Sequence, residues 1–489
     1  MSYFKATAKN LDGEKTCEYF GVHKEEGEKG YVYIFRAYND QAYRAELTGD
    51  FNLWGSTPMK RVGDGMFEAR VESDGAIEET CYKYRFYIND SVVFVPDRYA
   101  RYAQWGKEDA SIVYFGSYEW EDEEWIKQRE SKKQAISPIN IYEVHLGSWR
   151  TKEGRSYVGG DRYLNYRDIA AQLVGYVSDM GYTHICIISL TEEKSPFAPT
   201  SKHGRPDEFK FLVDTMHRAG IGVLLELSED GGEYWSREFH IDGICLAGER
   251  IALGGEEFLM DTSWSKNAIE YAECNVKYKK YKYASLNRAL IEGDEKGKIL
   301  SVSHSDLSDG KGSLFEKMQG DYEEKIARMK LFYSFMMLTP GKKMMFMGSE
   351  IGERKEWSEK ESLDWFLLER EANLRLKKYV KEINNLYLTH SSMVGSFKWL
   401  SPLSPENDVM AFERGDDIVA IFNFDNNEER KIAFNEPNDV ILSSDDEIFG
   451  GKGRSRLLEG EMVLSPLSAI VVSKKTPFFE KAIDYSRDV

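Results

Sequence analysis

The chain has 489 residues, a formal net charge of −18 and a pI near 5.1. Its length allows two to four domains with a large buried core. The acidity argues against nucleic acid or an anionic membrane as a partner, because phosphate binding needs clustered Lys and Arg. The 26 Phe, 29 Tyr and 10 Trp suit a neutral sugar partner, although aromatic richness is also ordinary in globular proteins.

The five cysteines are scattered and odd in number, and no CxxC pair occurs. This pattern suggests neither zinc nor a disulfide framework, so reduced thiols are the simplest interpretation. The N-terminal stretch MSYFKATAKNLDG lacks an apolar signal core, and no run of about 20 apolar residues occurs. We therefore predict a cytoplasmic protein with no cofactor. No loop has a recognisable spacing of oxygen ligands, so we expect no metal.

Residues 1–115 are predicted to form an all-β domain. The runs VYIFRAY, AYRAELTGDF, FEARVES and CYKYRFYIN alternate in polarity and are separated by Gly, Asp and Asn turns. Residues 116–135 are rich in charged side chains, which predicts a helical connector or linker.

Strands and helices alternate in residues 136–389. YRDIAAQLVGYVSDM has apolar residues at helical spacing, and HICIISL and GVLLEL are continuous apolar runs typical of buried parallel strands. The alternation predicts a parallel α/β architecture, but it does not separate a barrel from an open sheet. Residues 390–475 return to short β runs and are predicted to form a second all-β domain, followed by a polar tail at 476–489.

Several motifs resemble those of 1,4-α-glucan branching enzymes in glycoside hydrolase family 13. PINIYEVHLGSWR (138–150) resembles their first barrel strand, and GDFNLW (49–54) resembles the hallmark of a family 48 carbohydrate-binding module. GKKMMFMG (341–348), Glu356-Trp357 and SLDW (362–365) also match. The resemblance covers nearly the whole chain. It implies a multidomain α/β barrel protein with an N-terminal β-sandwich, a shortened TIM-type (β/α) barrel and a C-terminal β-sandwich.

The resemblance also suggests where sugar would bind in the N-terminal domain. Trp54 and Lys83 occupy positions that contact sugar in glucan-binding members of the module. In branching enzymes this module often packs on the barrel, and the Trp then serves that packing instead. The second sugar-stacking Trp of the best glucan binders is replaced here by Val92-Val93-Phe94.

Family enzymes are retaining transglycosylases that use an Asp nucleophile and a Glu general acid, about 5 Å apart on the C-terminal face of the barrel. An Arg keeps the nucleophile ionised, a second Asp orients the sugar, and two His bind it. At the matching positions this chain has replacements for most of them. Glu226 replaces an Asp and Gly231 a His, Cys245 replaces the Arg, Ala247 replaces the nucleophile, His304 is retained, and Ser305 replaces the sugar-orienting Asp.

The general acid should follow the fifth barrel strand, but the segment Gly248–Phe258 is far shorter than in active relatives. We infer a deletion of much of the fourth unit's helix and of the acid-bearing strand. TEEKSP (191–196) replaces a substrate-stacking loop that carries a Tyr. His145 and His304 are then interpreted as relics or as histidines with structural partners. A rebuilt catalytic pair would have to draw on other acids, namely Glu226, Glu249, Glu256, Glu257 and Asp306.

These observations leave three hypotheses for function. The first is a catalytically inactive branching-enzyme homologue that binds α-glucan or malto-oligosaccharide, or that regulates glycogen metabolism. The second is an active branching enzyme or α-amylase-type hydrolase with relocated carboxylates. The third is a protein-interaction scaffold that no longer binds sugar. The sequence names no protein partner.

Overall fold

The structure, a computed structural model, describes residues 18–28, 30–106, 108–131, 138–152, 162–192, 194–227, 231–246, 249–293, 297–395, 397–433, 439–458 and 460–474. The predicted polar tail at 476–489 lies outside these residues. No helix within the described part of the chain is both long and apolar enough to cross a bilayer.

The N-terminal domain is a β-sandwich, as predicted. One sheet has the order β1-β2-β6-β5, and the other has β4-β3-β7-β8 with β9 added on β7. Alternate side chains such as Tyr33, Phe35, Leu47 and Phe86 fill the space between the sheets. The strands are β1 (Gly21–Gly27), β2 (Gly30–Tyr38), β3 (Arg44–Gly49), β4 (Thr57–Pro58), β5 (Lys60–Gly63), β6 (Met66–Ser73), β7 (Cys81–Ile88), β8 (Ser91–Val95) and β9 (Ser111–Ile112).

The charged connector contains a helix, α1 (Glu123–Ser131), and packs on the next domain rather than hanging free as a linker. Trp125 is buried, and the ring of Trp120 stacks on His240 with 3.8 Å between the centroids. Aromatic side chains therefore anchor this highly charged segment to the barrel domain. Residues 132–135 of this predicted segment lie outside the described residues.

The central domain is a closed eight-stranded barrel whose helices pack outside it. Its strands follow the order β10-β11-β14-β15-β16-β17-β18-β19, and β19 pairs with β10 to close the ring. A small hairpin, β12–β13, lies beside it. The elements are β10 (Asn140–Val144), α2 (Leu146–Trp149), α3 (Tyr166–Asp179), β11 (His184–Ile187), β12 (Thr191–Glu192), β13 (Ser195–Pro199), α4 (Pro206–Arg218), β14 (Gly222–Leu227), α5 (Gly232–Phe239), β15 (Gly243–Leu246), β16 (Arg250–Leu253), β17 (Glu256–Met260), α6 (Thr262–Glu273), α7 (Tyr283–Gly293), β18 (Lys298–Val302), α8 (Leu314–Lys317), α9 (Tyr322–Leu338), β19 (Lys342–Phe346) and α10 (Glu371–Thr389).

One barrel strand, β16, runs in the reverse direction. It pairs antiparallel with β15 and with β17, whereas all other neighbouring strands in the ring are parallel. Gly254 and Gly255 join β16 to β17 with φ of 60° and 79°, the left-handed conformation that a tight two-residue hairpin turn requires. The barrel is thus shortened by replacing a strand–helix crossover with a hairpin, and the ring still has eight strands.

The C-terminal domain is also a β-sandwich, as predicted. Its larger sheet has the order β20-β21-β22-β27-β24 and its smaller sheet β23-β26-β25. Helix α9 of the barrel packs on β27, and Phe335 contacts Phe422, so the two domains share a core. The strands are β20 (Phe397–Ser401), β21 (Val409–Arg414), β22 (Ile418–Asn423), β23 (Arg430–Ala433), β24 (Asp439–Ser443), β25 (Arg456–Leu458), β26 (Glu461–Leu464) and β27 (Ser468–Ser473).

A buried ionic network joins the connector to the N-terminal end of the barrel. His217 lies between two carboxylates, with Nδ1 2.7 Å from Asp122 Oδ2 and Nε2 2.9 Å from Asp242 Oδ2. Asp122 also accepts a hydrogen bond from Nδ1 of His240 at 2.9 Å. The side chain of His217 is fully buried, so this network is shielded from solvent.

The network shifts the pKa of its members in opposite directions. Burial alone would lower the pKa of His217, but hydrogen bonds to Asp122 and Asp242 and their charges raise it above its usual value. Burial alone would raise the pKa of Asp242, but His217 outweighs this and the pKa falls to about 2. The pKa of Asp122 is held below its usual value by His217 and His240. Both carboxyls are therefore ionised at neutral pH, and their charges favour the protonated form of His217.

Candidate functional site

The C-terminal face of the barrel brings together most of the residues that the sequence singled out. Glu226 lies at the end of β14, Cys245 lies on the neighbouring strand β15, and His304 follows β18. Ala247, at the position of the family's nucleophile, lies outside the described residues. This face is the place where a barrel of this type carries its chemistry.

The lumen below this face is filled by apolar side chains. Cys245 is buried in it, and its Sγ lies 3.7 Å from Sδ of Met260. The thiol of Cys186 contacts Cys245, and this contact together with burial raises the pKa of Cys186 well above its usual range. A guanidinium at position 245 would lie among these apolar groups. No cation therefore occupies the position that activates the nucleophile in the family.

A carboxylate and an imidazole form an ion pair at the top of the lumen. Both oxygens of Glu143 are engaged by His304, since Oε2 accepts its backbone N–H at 2.8 Å and Oε1 lies 2.9 Å from its Nδ1. Burial alone would lower the pKa of His304, but Glu143 and the charge of Glu226 raise it to about 9. Only 1% of Glu143 is exposed, so its carboxylate is out of reach of a sugar ring.

Glu226 is the third member of this cluster. Burial raises the pKa of its carboxyl, and the charge of Glu143 adds to the shift while His304 opposes it. Its residue is half-buried, in contrast to Glu143. Glu226 is thus the acid of this cluster that still reaches solvent.

The ring of Trp357 packs edge-on against His145 and against His304, the retained histidine of the family's sugar-binding pair. Its centroid is 5.6 Å from those of His145 and His304 and 5.3 Å from that of Phe346. Its indole N–H donates to Ser148 Oγ at 3.0 Å, which fixes the orientation of the ring. Burial lowers the pKa of His145 to about 3, so this imidazole is neutral.

The other positions on this face that the sequence singled out make contacts within their own loops. Ser305 Oγ lies 2.7 Å from Ser303 Oγ. Asp306 accepts the backbone N–H of Ser303 at 3.0 Å, and burial raises the pKa of its carboxyl. Gly231 precedes the first turn of α5, beside the ring of Phe197. These contacts build the loops of the face and do not bring two free carboxylates together.

The reversed strand separates the other acids that the sequence offered. Glu249 lies at the C-terminal face, in the turn between β15 and β16. Glu256 and Glu257 begin β17 at the opposite end of the barrel, where Glu256 lies near Lys342 at the start of β19. Glu256 and Glu257 are therefore wrong candidates for a rebuilt catalytic pair, because β16 carries the chain to the far end of the barrel before they occur.

The two sugar-binding candidates of the N-terminal domain have different surroundings. Trp54 is 43% exposed, and its indole N–H donates to Asp50 Oδ1 at 2.8 Å. Its ring therefore does not serve packing against the barrel. Lys83 instead forms an ion pair with Asp109 at 2.7 Å, and Asp109 also pairs with Lys194 of the β12–β13 hairpin at 2.5 Å. Lys83 thus takes part in a bridge between the two domains.

Metal binding finds no support in the parts of the chain that are described. Within those ranges, no group of three or more His, Cys, Asp or Glu side chains is arranged to hold a metal ion.

Two features of the site escaped the sequence reasoning. Glu143 interrupts a buried apolar strand, and a buried carboxylate needs a partner, so its pairing could have been anticipated. The packing of Trp357 against His145 could not have been anticipated, because Trp357 lies in a loop more than two hundred residues from His145 in sequence.

Substitution of Glu143 tests the ion pair at the top of the lumen. In Glu143→Gln we expect the pKa of His304 to fall from about 9 to below 6.5, because burial then acts without a full opposing charge. Histidine side-chain NMR over a pH series measures this shift. Since the folded pKa lies above the unfolded one, the pair's stabilisation is full below pH 6.5 and disappears as pH rises through about 9.

Glu249→Gln is the matched control, since this exposed acid lies on the same face and should leave the pKa of His304 unchanged. An unchanged His304 titration in Glu143→Gln would contradict the pairing.

The three-domain arrangement and the barrel face define a class, the multidomain α-amylase-type proteins. Carbohydrate-binding module 48 (isoamylase N-terminal domain) matches residues 19–100, and the alpha amylase C-terminal all-beta domain matches residues 399–474. The chain is a branching-enzyme-like protein of glycoside hydrolase family 13.

Relatives and solved structures agree with this placement. The chain is 27% identical to a 1,4-alpha-glucan branching enzyme of Hydrogenovibrio crunogenus, over 90% of this chain and 81% of the relative. It is 28% identical to the 1,4-alpha-glucan branching enzyme of Aquifex aeolicus, over 80% of this chain and 82% of the relative. The catalytic module of the glycogen-degrading pneumococcal virulence factor SpuA superposes with a TM-score of 0.72, 13% identity and coverage of 95% and 99%. A pullulanase of Anoxybacillus sp. complexed with maltotetraose superposes with a TM-score of 0.70 and 14% identity, over 93% of this chain and 87% of the pullulanase.

Proposed function

We propose that this protein is a catalytically inactive branching-enzyme homologue that binds α-glucan through its N-terminal domain. The observation that carries the first half is the loss of paired, reachable carboxylates. Retaining transfer needs a nucleophile and an acid about 5 Å apart. Position 247 is an alanine, and the fifth barrel position holds a strand that runs away from the catalytic face.

Two properties of the remaining acids support inactivity. Glu143 is buried, and both of its oxygens are already bonded to His304. Glu226 has a raised pKa and suits a general acid, but the carboxylate whose charge contributes to that shift is the inaccessible Glu143. One acid without a nucleophile cannot form the glycosyl-enzyme that retaining transfer requires.

Glucan binding is supported by the exposed ring of Trp54. Aromatic rings bury a large apolar area and stack on the faces of flat ligands. The hydrogen bond to Asp50 holds the indole in one orientation, which lowers the entropy lost on binding. Named structural neighbours are complexed with malto-oligosaccharides, which favours the same class of ligand here.

Calorimetric titration with maltoheptaose and glycogen tests the binding. We expect Trp54→Ala to weaken binding about tenfold or more, since a buried aromatic side chain contributes about 1.5 to 3 kcal/mol. Trp105→Ala is the matched control, because Trp105 is 40% exposed in the same domain but its ring already contacts Tyr163. Equal affinity of Trp54→Ala and wild type would remove the sugar site from Trp54.

Two alternatives remain as defined outcomes. A weak branching enzyme or hydrolase with relocated carboxylates is favoured by the raised pKa of Glu226 and requires turnover that Glu226→Gln abolishes. A protein-interaction scaffold requires that no glucan bind wild type at all.

A further inference from the structure

A small cavity lies where the barrel helices meet the C-terminal domain. Its walls come from α6, α7, α9, the 3₁₀ helix Val276–Lys282 and the segment after β22. Most of the lining is apolar, including Phe335 and Phe424. The space among these side chains admits a group about the size of a water molecule. It lies outside the barrel, away from the residues discussed for catalysis.

Three polar side chains enter this apolar wall. Lys279 and Arg328 are each 3% exposed, and Tyr271 is 6% exposed. Arg328 donates from Nε to the carbonyl of Gln319 at 2.9 Å and from Nη2 to Asn426 Oδ1. Its Nη1 and the hydroxyl of Tyr271 have no hydrogen-bond partner in the described structure.

Lys279 is equally without a counter-ion. Its ammonium lies 4.6 Å from the centroid of the Tyr271 ring, and it makes no ion pair with any residue in the described ranges. The carboxylate of Glu324 acts on Lys279 through its charge, but its Oε2 already accepts the backbone N–H of Asp321 at 2.9 Å. Asp408, close to Tyr271, is taken up by Tyr283 and Arg430.

Two buried cations that share a cavity are costly without a negative charge. An unpaired buried charge destabilises the fold or loses its proton. Burial, with Arg328 adding to it, lowers the pKa of Lys279 to about 7. The guanidinium cannot lose its proton in this way, because its pKa stays far above neutrality. The cavity is therefore electropositive, donor-rich and small.

We propose that this cavity binds one monatomic anion of the size of chloride, held by the ammonium of Lys279, Nη1–H of Arg328 and the hydroxyl of Tyr271. Arg328 Nη1 and the Tyr271 hydroxyl have no other hydrogen-bond partner in the described ranges, and all three residues line the same small space. Polyatomic anions such as sulfate are too large for the space. The anion would join the barrel helices at the surface where Phe424 and Asn426 bring in the C-terminal domain.

Crystals of the full chain soaked in sodium bromide give a direct test, because bromide substitutes for chloride and scatters anomalously. We expect a bromide peak among the three donors. A peak-free cavity, or one that holds only water after the soak, would overturn the proposal. This measurement uses wild-type protein and does not depend on any variant folding.

Thermal unfolding supplies the second test. When chloride replaces gluconate at constant ionic strength, the Tm of wild type should rise by about 1 to 3 °C. The rise should level off once the site is saturated with chloride. Lys279→Met should lose this chloride dependence, whereas Lys282→Met should keep it because Lys282 lies outside the cavity and pairs with Glu270 at 3.1 Å. Equal chloride dependence in both variants would contradict the assignment.

Discussion

Wild-type protein should show neither branching nor release of reducing ends on amylose or glycogen, a deficit of about a million-fold against an active branching enzyme. The nucleophile position holds Ala247, and the place of the activating Arg holds the buried Cys245. The reversed β16 carries no acid to the catalytic face. Iodine staining and a reducing-sugar assay measure both reactions, with an active branching enzyme as the positive control.

Ala247→Asp assayed beside wild type separates a single lesion from a dismantled site. We expect no recovery, because the activating Arg is also replaced, by Cys245, and the general acid that must pair with the nucleophile at about 5 Å is missing from its family position. Turnover by wild type that Glu226→Gln or Glu249→Gln abolishes would contradict inactivity and favour the relocated pair. Turnover that appears only in Ala247→Asp would mean that one residue alone is missing.

Replacement of His217 should cause the largest loss of stability. His217→Gln removes the buried imidazolium between Asp122 and Asp242 and leaves them only His240 and Arg129 as cationic partners. We expect the free energy of unfolding to fall by about 3 kcal/mol. Chemical denaturation followed by fluorescence measures this. His203→Gln is the matched control, because among the described residues that buried imidazole hydrogen-bonds only the carbonyl of Leu164. Its replacement should cost about 1 kcal/mol.

The pH dependence of the same network has a defined sign. The pKa of His217 is raised, so its stabilisation is full below 6.5 and is lost as pH rises through the folded value. The pKa of Asp242 is lowered to about 2, so its stabilisation is full above pH 3.8 and is lost as pH falls through about 2. The difference between wild type and His217→Gln should peak between these limits. A constant difference across pH would contradict the ionic account.

Much of the fold could be predicted from local pattern and from resemblance. The alternating runs before residue 115 and after residue 390 predicted two all-β domains, and the continuous apolar runs predicted buried parallel strands. The resemblance specified that these domains are sandwiches and that the parallel strands close into a barrel. The reversal of β16 was missed, although Gly254-Gly255 between two short apolar segments is a hairpin signal. The charged composition of residues 116–135 left open whether they form a helical connector or a linker. The sequence could not show that they dock on the barrel, because Trp120 and Trp125 contact residues more than a hundred positions away.

The candidate site was less accessible to sequence reasoning. The replaced positions could be read directly, because each is a residue identity within a well-matched motif. What the remaining groups do depends on contacts between distant segments, such as Glu143 with His304 or Asp109 with Lys83 and Lys194. Such pairs leave no local pattern in a single sequence.

The hairpin that replaces a crossover also changes how the barrel can be assembled. Strands β15, β16 and β17 pair with neighbours a few residues away, whereas each parallel pair in the ring requires a long excursion of the chain before it forms. Short loops lose less entropy on closure and form faster than long ones. The change that takes an acid-bearing strand from the catalytic face thus gives these three of the eight strands a low contact order, and makes them a natural starting point for folding.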